Sequence, residues 1–132
     1  MSNTPTVLVV DDDTLTRLLV TEILNDHGLH AIPAACAQEA LVIMDDLVEK
    51  PGLIISDIVM PGMNGFEMLQ AVEDRHPSIK TLFITGSSLD AEEWNHAGRT
   101  HTALLVKPFR KSELLAEVSR MLDVSDRCSN LI

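Results

Sequence analysis

Four groups of polar residues in this 132-residue chain each follow directly on a short apolar run. Asp11, Asp12 and Asp13 follow the run at 7–10. Ser56 and Asp57 follow 53–55, Thr85, Gly86 and Ser87 follow 82–84, and Lys107 and Pro108 follow 103–106. Gathered in one place, these residue types would handle a phosphoryl group. A carboxylate such as Asp57 can act as a nucleophile and form an aspartyl phosphate. Transfer of that kind needs alignment and charge neutralisation more than covalent assistance. Two carboxylates about 4 Å apart repel by roughly 4 kcal/mol at an effective dielectric near ~20. Asp11, Asp12 and Asp57 together therefore call for a cation. Hard oxygen donors suit Mg²⁺, which keeps several waters and so leaves positions for phosphate oxygens; Mn²⁺ is the alternative. Lys107 would add a mobile ammonium, Thr85 a hydroxyl for the bound phosphoryl group, and Gly86 a backbone N–H with no side chain beside it.

Taken singly, each residue has a plainer reading. An acidic run is usually a solvated face or a helix start, and Asp13-Thr14 suits a helix cap. Lys107 alone is an exposed charge, and Thr85 alone a turn residue. Their position in the chain unites them. Five apolar runs alternate with five segments of helical period, and four of the runs are continuously apolar, as strands covered on both faces require. Ala31-Ile32, the remaining one, is the weakest. Leu15, Leu18, Leu19 and Ile23 form the expected inward stripe of the first helix, which His27 and Gly28 end. Ala37, Ala40, Leu41, Met44 and Val48 mark the second, stopped by Pro51-Gly52. Phe66, Leu69 and Val72 mark the third, stopped before Pro77. Asp90, Glu93 and Gly98 bound a short fourth, and Leu114, Leu115, Val118, Met121 and Leu122 mark the fifth. The layout predicts an α/β fold, (βα)5, doubly wound on a five-stranded parallel sheet. Ligands of such sheets bind beyond the carboxyl ends of the strands, and all four polar groups fall at that edge.

Composition narrows the functional classes. The net charge is −10, and the ten basic residues form no run, which argues against nucleic acid and against an anionic membrane surface. Apolar residues make up 45%, enough for a single core at this length. Residues 1–123 are expected to form one domain and 124–132 a C-terminal tail. Cys36 and Cys128 belong to no CxxC or Cys/His cluster and read as free thiols of a reducing compartment. The start MSNTP is not a leader, and the longest apolar run is far short of the ~20 residues that span a bilayer. The expected location is cytoplasmic. The five histidines show no i,i+4 pair and read as surface residues.

The segments VLVVDDD (7–13), ISDIVMPGMNG (55–65), LFITG (82–86) and LLVKPF (104–109) closely resemble the signature blocks of two-component response-regulator receivers, in particular the chemotaxis-type single-domain receivers. The resemblance covers about residues 5–122. It implies a flavodoxin-like fold and a set of roles. Asp57 would be the phosphoacceptor, supplied by a histidine kinase or a histidine phosphotransfer protein. Asp12 would ligate Mg²⁺ directly, Asp11 mainly through water, and the Val59 backbone carbonyl would be a further ligand beside Asp57. Thr85, Gly86 and Lys107 would bind and sense the phosphoryl group, the Lys107–Pro108 peptide would be cis, and Pro61, Gly62 and Gly65 would form the turn after the acceptor. One position departs: Leu104 stands where the family usually carries an aromatic switch residue.

The family implies a switch, with no turnover of a separate substrate; the domain would assist its own Mg²⁺-dependent phosphorylation and dephosphorylation. Because the chain ends about ten residues after the fifth helix, output is expected through a downstream protein target, as in chemotaxis-type receivers or phosphorelay shuttles; the LFITG block (82–86) is also similar to receivers attached to hybrid kinases. That target would meet the surface of the fourth helix, fifth strand and fifth helix, with the receiver a monomer or weak dimer. The run ending in Asp11–Asp13 also resembles the first motif of haloacid-dehalogenase-type phosphatases, but no Gly-Asp pair supplies their later acidic motif. A receiver-like interaction module without phosphorylation gains some support from Leu104, and the complete set of Asp11, Asp12, Asp57, Thr85 and Lys107 argues against it.

Overall fold

The structure is a computed structural model that describes residues 4–77, 79–86 and 101–122. The described elements run β1 (Thr6–Val10), α1 (Thr14–Asp26), β2 (His30–Ala34), α2 (Ala37–Asp46), β3 (Leu53–Asp57), α3 (Gly65–Arg75), β4 (Thr81–Thr85), β5 (Thr102–Val106) and α4 (Lys111–Leu122). The strands form one parallel sheet in the order β2-β1-β3-β4-β5. The fold is α/β, doubly wound and flavodoxin-like. The fifth helical segment of the sequence is α4 here. The segment bearing Asp90, Glu93, Trp94, His96 and Gly98, with Ser87 before it, lies outside the described residues.

Continuous apolar runs become strands because both faces are covered. Val7, Val9, Leu53, Ile55, Leu82 and Ile84 pack with α1 and α4, through Val20, Ile23 and Leu24 on one helix and Leu114, Val118, Met121 and Leu122 on the other. Leu8, Val10, Ile54 and Phe83 pack on the opposite face against Ala37, Ala40 and Met44 of α2 and Met68, Leu69 and Val72 of α3. α1, α2 and α3 start at caps that hold otherwise orphaned N–H groups. Asp13 accepts from the Thr16 N–H, Cys36 Sγ from the Glu39 N–H, and Asn64 and Glu67 form a reciprocal capping box. Gly28, at φ +86°, follows the His27 cap of α1 in the left-handed region that suits glycine.

Three details depart from the sequence reading. The stripe assigned to α1 is largely on the wrong face: Leu15, Leu18 and Leu19 are 78%, 56% and 54% exposed, while Val20, Ile23 and Leu24 are buried. All six are apolar, so a 3.6-residue period fits two stripes on this helix, and docking on the sheet selects the second. α2 stops at Asp46, since Leu47 takes an extended conformation and the Lys50 ammonium binds the Met44 and Leu47 carbonyls. Val48 therefore falls outside the helix and is exposed. β2 extends over five residues, including His30 and Pro33. It is an edge strand paired with β1, where a proline without an N–H is tolerated.

Candidate functional site

Strand order reverses between β1 and β3, so the chain leaves the sheet in opposite directions there. Val10 is in register with Ser56, which sets Asp11 and Asp12 beside Asp57 at the carboxyl edge. One oxygen from each of the three carboxylates lies within 4.8 Å of the others. Asp11 is buried; its N–H donates to the Ala34 carbonyl at 3.1 Å, and its Oδ1 accepts from the Asp13 N–H at 2.9 Å. Asp12 is exposed and Asp57 half-buried. Asp57 Oδ1 accepts from the Val59 N–H at 3.2 Å, and Oδ2 lies 3.7 Å from the Lys107 ammonium.

β4 and β5 bring the remaining groups. Thr85 ends β4 and is buried, and its carbonyl accepts from the Lys107 N–H at 2.7 Å. The β5 end that carries Lys107 is thereby tied to the β4 end beside Asp57, and Asp57 is in register with Ile84. The Lys107–Pro108 peptide is cis. Among the described residues, none lies within 4 Å of a Cβ built at Gly86. Gly65 is different. A Cβ there would sit 2.5 Å from the Asp57 carbonyl oxygen and 3.2 Å from Phe83, because the start of α3 presses against the end of β3. The Gly65 N–H donates to the Ile58 carbonyl at 2.8 Å.

A family model for the response regulator receiver domain matches residues 7–119. The chain belongs to that family. It is 34% identical over 126 residues to the sensor kinase CckA of Brucella abortus, spanning 96% of this chain and 13% of the kinase's length. It is 30% identical over 117 residues to the response regulator receiver protein CpdR of the same organism, spanning 88% of this chain and 95% of CpdR. Among solved structures, the chemotaxis protein CheY4 of Vibrio cholerae superposes with a TM-score of 0.79 at 34% identity, covering 89% of this chain and 98% of that one. The function is accordingly phosphorelay signal transduction as a two-component receiver domain, a family that works with histidine kinases and downstream effectors.

The receiver's acidic cluster fits a divalent cation on its donor set: three hard carboxylates at close range, half-enclosed, with one ammonium beside them. Burial pushes the Asp57 carboxyl above the ordinary value of 3.8; the Lys107 ammonium and the Val59 N–H pull it back, and Asp12 pushes it up again. Burial likewise raises Asp11, opposed by the Asp13 N–H and reinforced by the Asp57 charge. A folded state that keeps protons after the unfolded chain has released them loses stability as pH rises. In EDTA, the urea midpoint of the wild-type receiver is therefore expected to fall relative to Asp57→Asn as pH climbs above 3.8 towards neutrality. Mg²⁺ should remove that divergence. A wild-type-minus-variant difference that stays flat with pH in EDTA contradicts the linkage.

Leu104 packs against the core cluster on the α2–α3 face and is in register with Phe83. Among the described residues, the aromatic contact on this face is a Phe66–Phe83 edge pair, with centroids 5.0 Å apart. The structure also presents a residue the sequence reading passed over. Arg17 reaches back from α1 and donates to the Asp11 carbonyl at 2.6 Å. Its signal was a cation near the start of a helix, where the macrodipole disfavours positive charge. Of the histidines, His27 and His76 sit at helix ends, His30 opens β2 and His101 precedes β5.

Proposed function

We propose that this receiver takes a phosphoryl group onto Asp57 from a phosphohistidine on a histidine kinase or histidine phosphotransfer protein, and regulates a partner by the resulting change of shape. The observation that carries this reading is the convergence of Asp11, Asp12 and Asp57 within 4.8 Å, with the Lys107 ammonium 3.7 Å from the acceptor. In the transfer, an Asp57 oxygen attacks phosphorus, the P–N bond to the donor imidazole breaks, and its electron pair stays on the imidazole nitrogen. Mg²⁺ (or Mn²⁺), when bound, supplies positive charge against the carboxylates and the phosphoryl oxygens. Asp12, being exposed, is suited to direct ligation, whereas Asp11 is buried with one oxygen already held by the Asp13 N–H. Asp57 and the Val59 carbonyl complete the proposed protein ligands.

Lys107, Thr85 and the Gly86 N–H hold the phosphoryl group and draw the β4 and β5 ends towards it. Phosphorylation adds nearly one more negative charge and new acceptor oxygens, and so biases a two-state equilibrium. The downstream target would meet the surface of the fourth helical segment, β5 and α4; Leu104 would transmit the change by aliphatic repacking. The receiver would work in the cytoplasm as a monomer or weak dimer, acting on itself and turning over no separate substrate. Among the described residues, no helix is long and apolar enough to cross a membrane.

The test is incubation with acetyl phosphate and Mg²⁺, followed by intact-mass analysis beside Asp57→Ala and EDTA controls. A single metal-dependent adduct, absent from Asp57→Ala, is expected. An adduct that persists in Asp57→Ala would move the acceptor elsewhere. No adduct from acetyl phosphate or from a phosphorylated histidine protein would favour an interaction module without phosphorylation.

A further inference from the structure

The acidic turn between β1 and α1 is held from several sides. The Asp11 N–H is anchored on β2 through the Ala34 carbonyl, and the Asp13 N–H is turned onto Asp11 Oδ1. From α1, the Arg17 N–H donates to the Asp13 carbonyl at 2.9 Å. The Arg17 guanidinium then crosses back over the first turn, with Nη1 donating to the Asp11 carbonyl at 2.6 Å and Nη2 to Thr14 Oγ1 at 3.5 Å. A hydrogen bond from a charged donor is about twice as strong as a neutral one.

The carbonyl that Arg17 grips is a sensitive one. It belongs to the peptide unit joining Asp11 to Asp12, and that unit is a rigid plane with the two Cα atoms at its corners. Holding its oxygen, with the Asp11 N–H already anchored on Ala34, restrains the rotations on either side of the plane that set the directions in which both side chains leave the backbone. Two of the three carboxylates are carried by this single unit. Their mutual repulsion would otherwise favour rotation of the plane to spread them.

We propose that Arg17 is a positioning residue for divalent-cation binding: it clamps the Asp11–Asp12 peptide so that both carboxylates are set before the cation arrives. This inference rests on the cation-binding reading of the site. Partners that orient metal ligands from outside typically change metal affinity ten- to about a hundredfold.

The experiment is calorimetric titration of the full chain with Mg²⁺, comparing wild type, Arg17→Ala, Arg17→Lys and Thr21→Ala. Thr21 Oγ1 donates to the Arg17 carbonyl at 2.6 Å, so Thr21→Ala alters the same stretch of helix and its stability while leaving the guanidinium and its acceptors in place. Arg17→Ala is expected to raise the Mg²⁺ Kd by about tenfold or more. Arg17→Lys should recover part of that loss, and Thr21→Ala should keep the wild-type Kd whichever way its Tm moves. If Arg17→Ala does not fold, Arg17→Gln, a neutral side chain that keeps the aliphatic stem but falls short of the Asp11 carbonyl, carries the comparison with the same expected loss. An Arg17→Ala Kd within about twofold of wild type overturns the clamp. So does a Thr21→Ala loss of equal size, which would trace the effect to helix stability. Failure of the wild type itself to bind Mg²⁺ overturns the cation-binding reading, and the clamp with it.

Discussion

Gly65→Ala is expected to destabilise this receiver by about 3 kcal/mol, near the upper end for forcing a methyl into a packed site. The added Cβ would lie 2.5 Å from the Asp57 carbonyl oxygen and 3.1 Å from Ile58 Cα, both backbone atoms that side-chain rotation cannot move aside. The third neighbour is Phe83, fully buried and paired edge-on with Phe66. Relief therefore requires the start of α3 to move off the end of β3, stretching the 2.8 Å bond from the Gly65 N–H to the Ile58 carbonyl. Urea unfolding in EDTA checks the stability. A loss below about 1 kcal/mol would mean that α3 shifts freely, contrary to the packing seen at this junction.

Lys107→Ala should separate two properties of the site. The ammonium beside Asp57 Oδ2 competes with a cation for the carboxylates, so removing it should tighten Mg²⁺ binding. An interaction of about 1 kcal/mol through partly exposed groups corresponds to roughly fivefold. Under the proposed function, the same change removes positive charge from the place where the phosphoryl oxygens would sit. Phosphorylation by acetyl phosphate at saturating Mg²⁺ should slow about a hundredfold, the usual scale for losing one well-placed electrostatic group. Lys107 also holds down the Asp57 pKa, so in the variant the pH at which Asp57 ionises moves upward. Titration calorimetry and the time course of the mass adduct read the two effects separately. Unchanged phosphorylation with tighter Mg²⁺ binding would leave Lys107 as a charge balancer and remove it from the phosphoryl site.

The alternation of the five strands with the four described helices, the parallel sheet and the edge carrying the site were legible in the chain. Four apolar runs without alternation required covering on both faces, and each was followed by the residues that could do chemistry. Asp13 as a cap and Gly28 as a helix stop were legible too, because both rest on local backbone preference. The face of α1 was not. Leu15, Leu18 and Leu19 are as apolar as Val20, Ile23 and Leu24, and periodicity does not rank two equal stripes. The full five residues of β2 were hidden as well, because Pro33 lacks a ladder N–H and suits a strand only at a sheet edge, a position that the pairing with β1 supplies.

For the site itself, residue types alone determined what chemistry is available: three carboxylates, an ammonium, a hydroxyl and a bare backbone N–H, placed after strands. Tertiary structure decided the distances on which that chemistry depends. The β1–β3 register places Asp11 and Asp12 against Asp57, and the tie between the Thr85 carbonyl and the Lys107 N–H brings the ammonium to 3.7 Å. It also decided that Asp11 is buried and Asp12 exposed, that Gly65 must lack a side chain, and that Arg17 turns back onto the acidic turn. Residue identity sets charge and valence locally, whereas separation and burial come from contacts between segments far apart in the chain, and at this site those set the electrostatics.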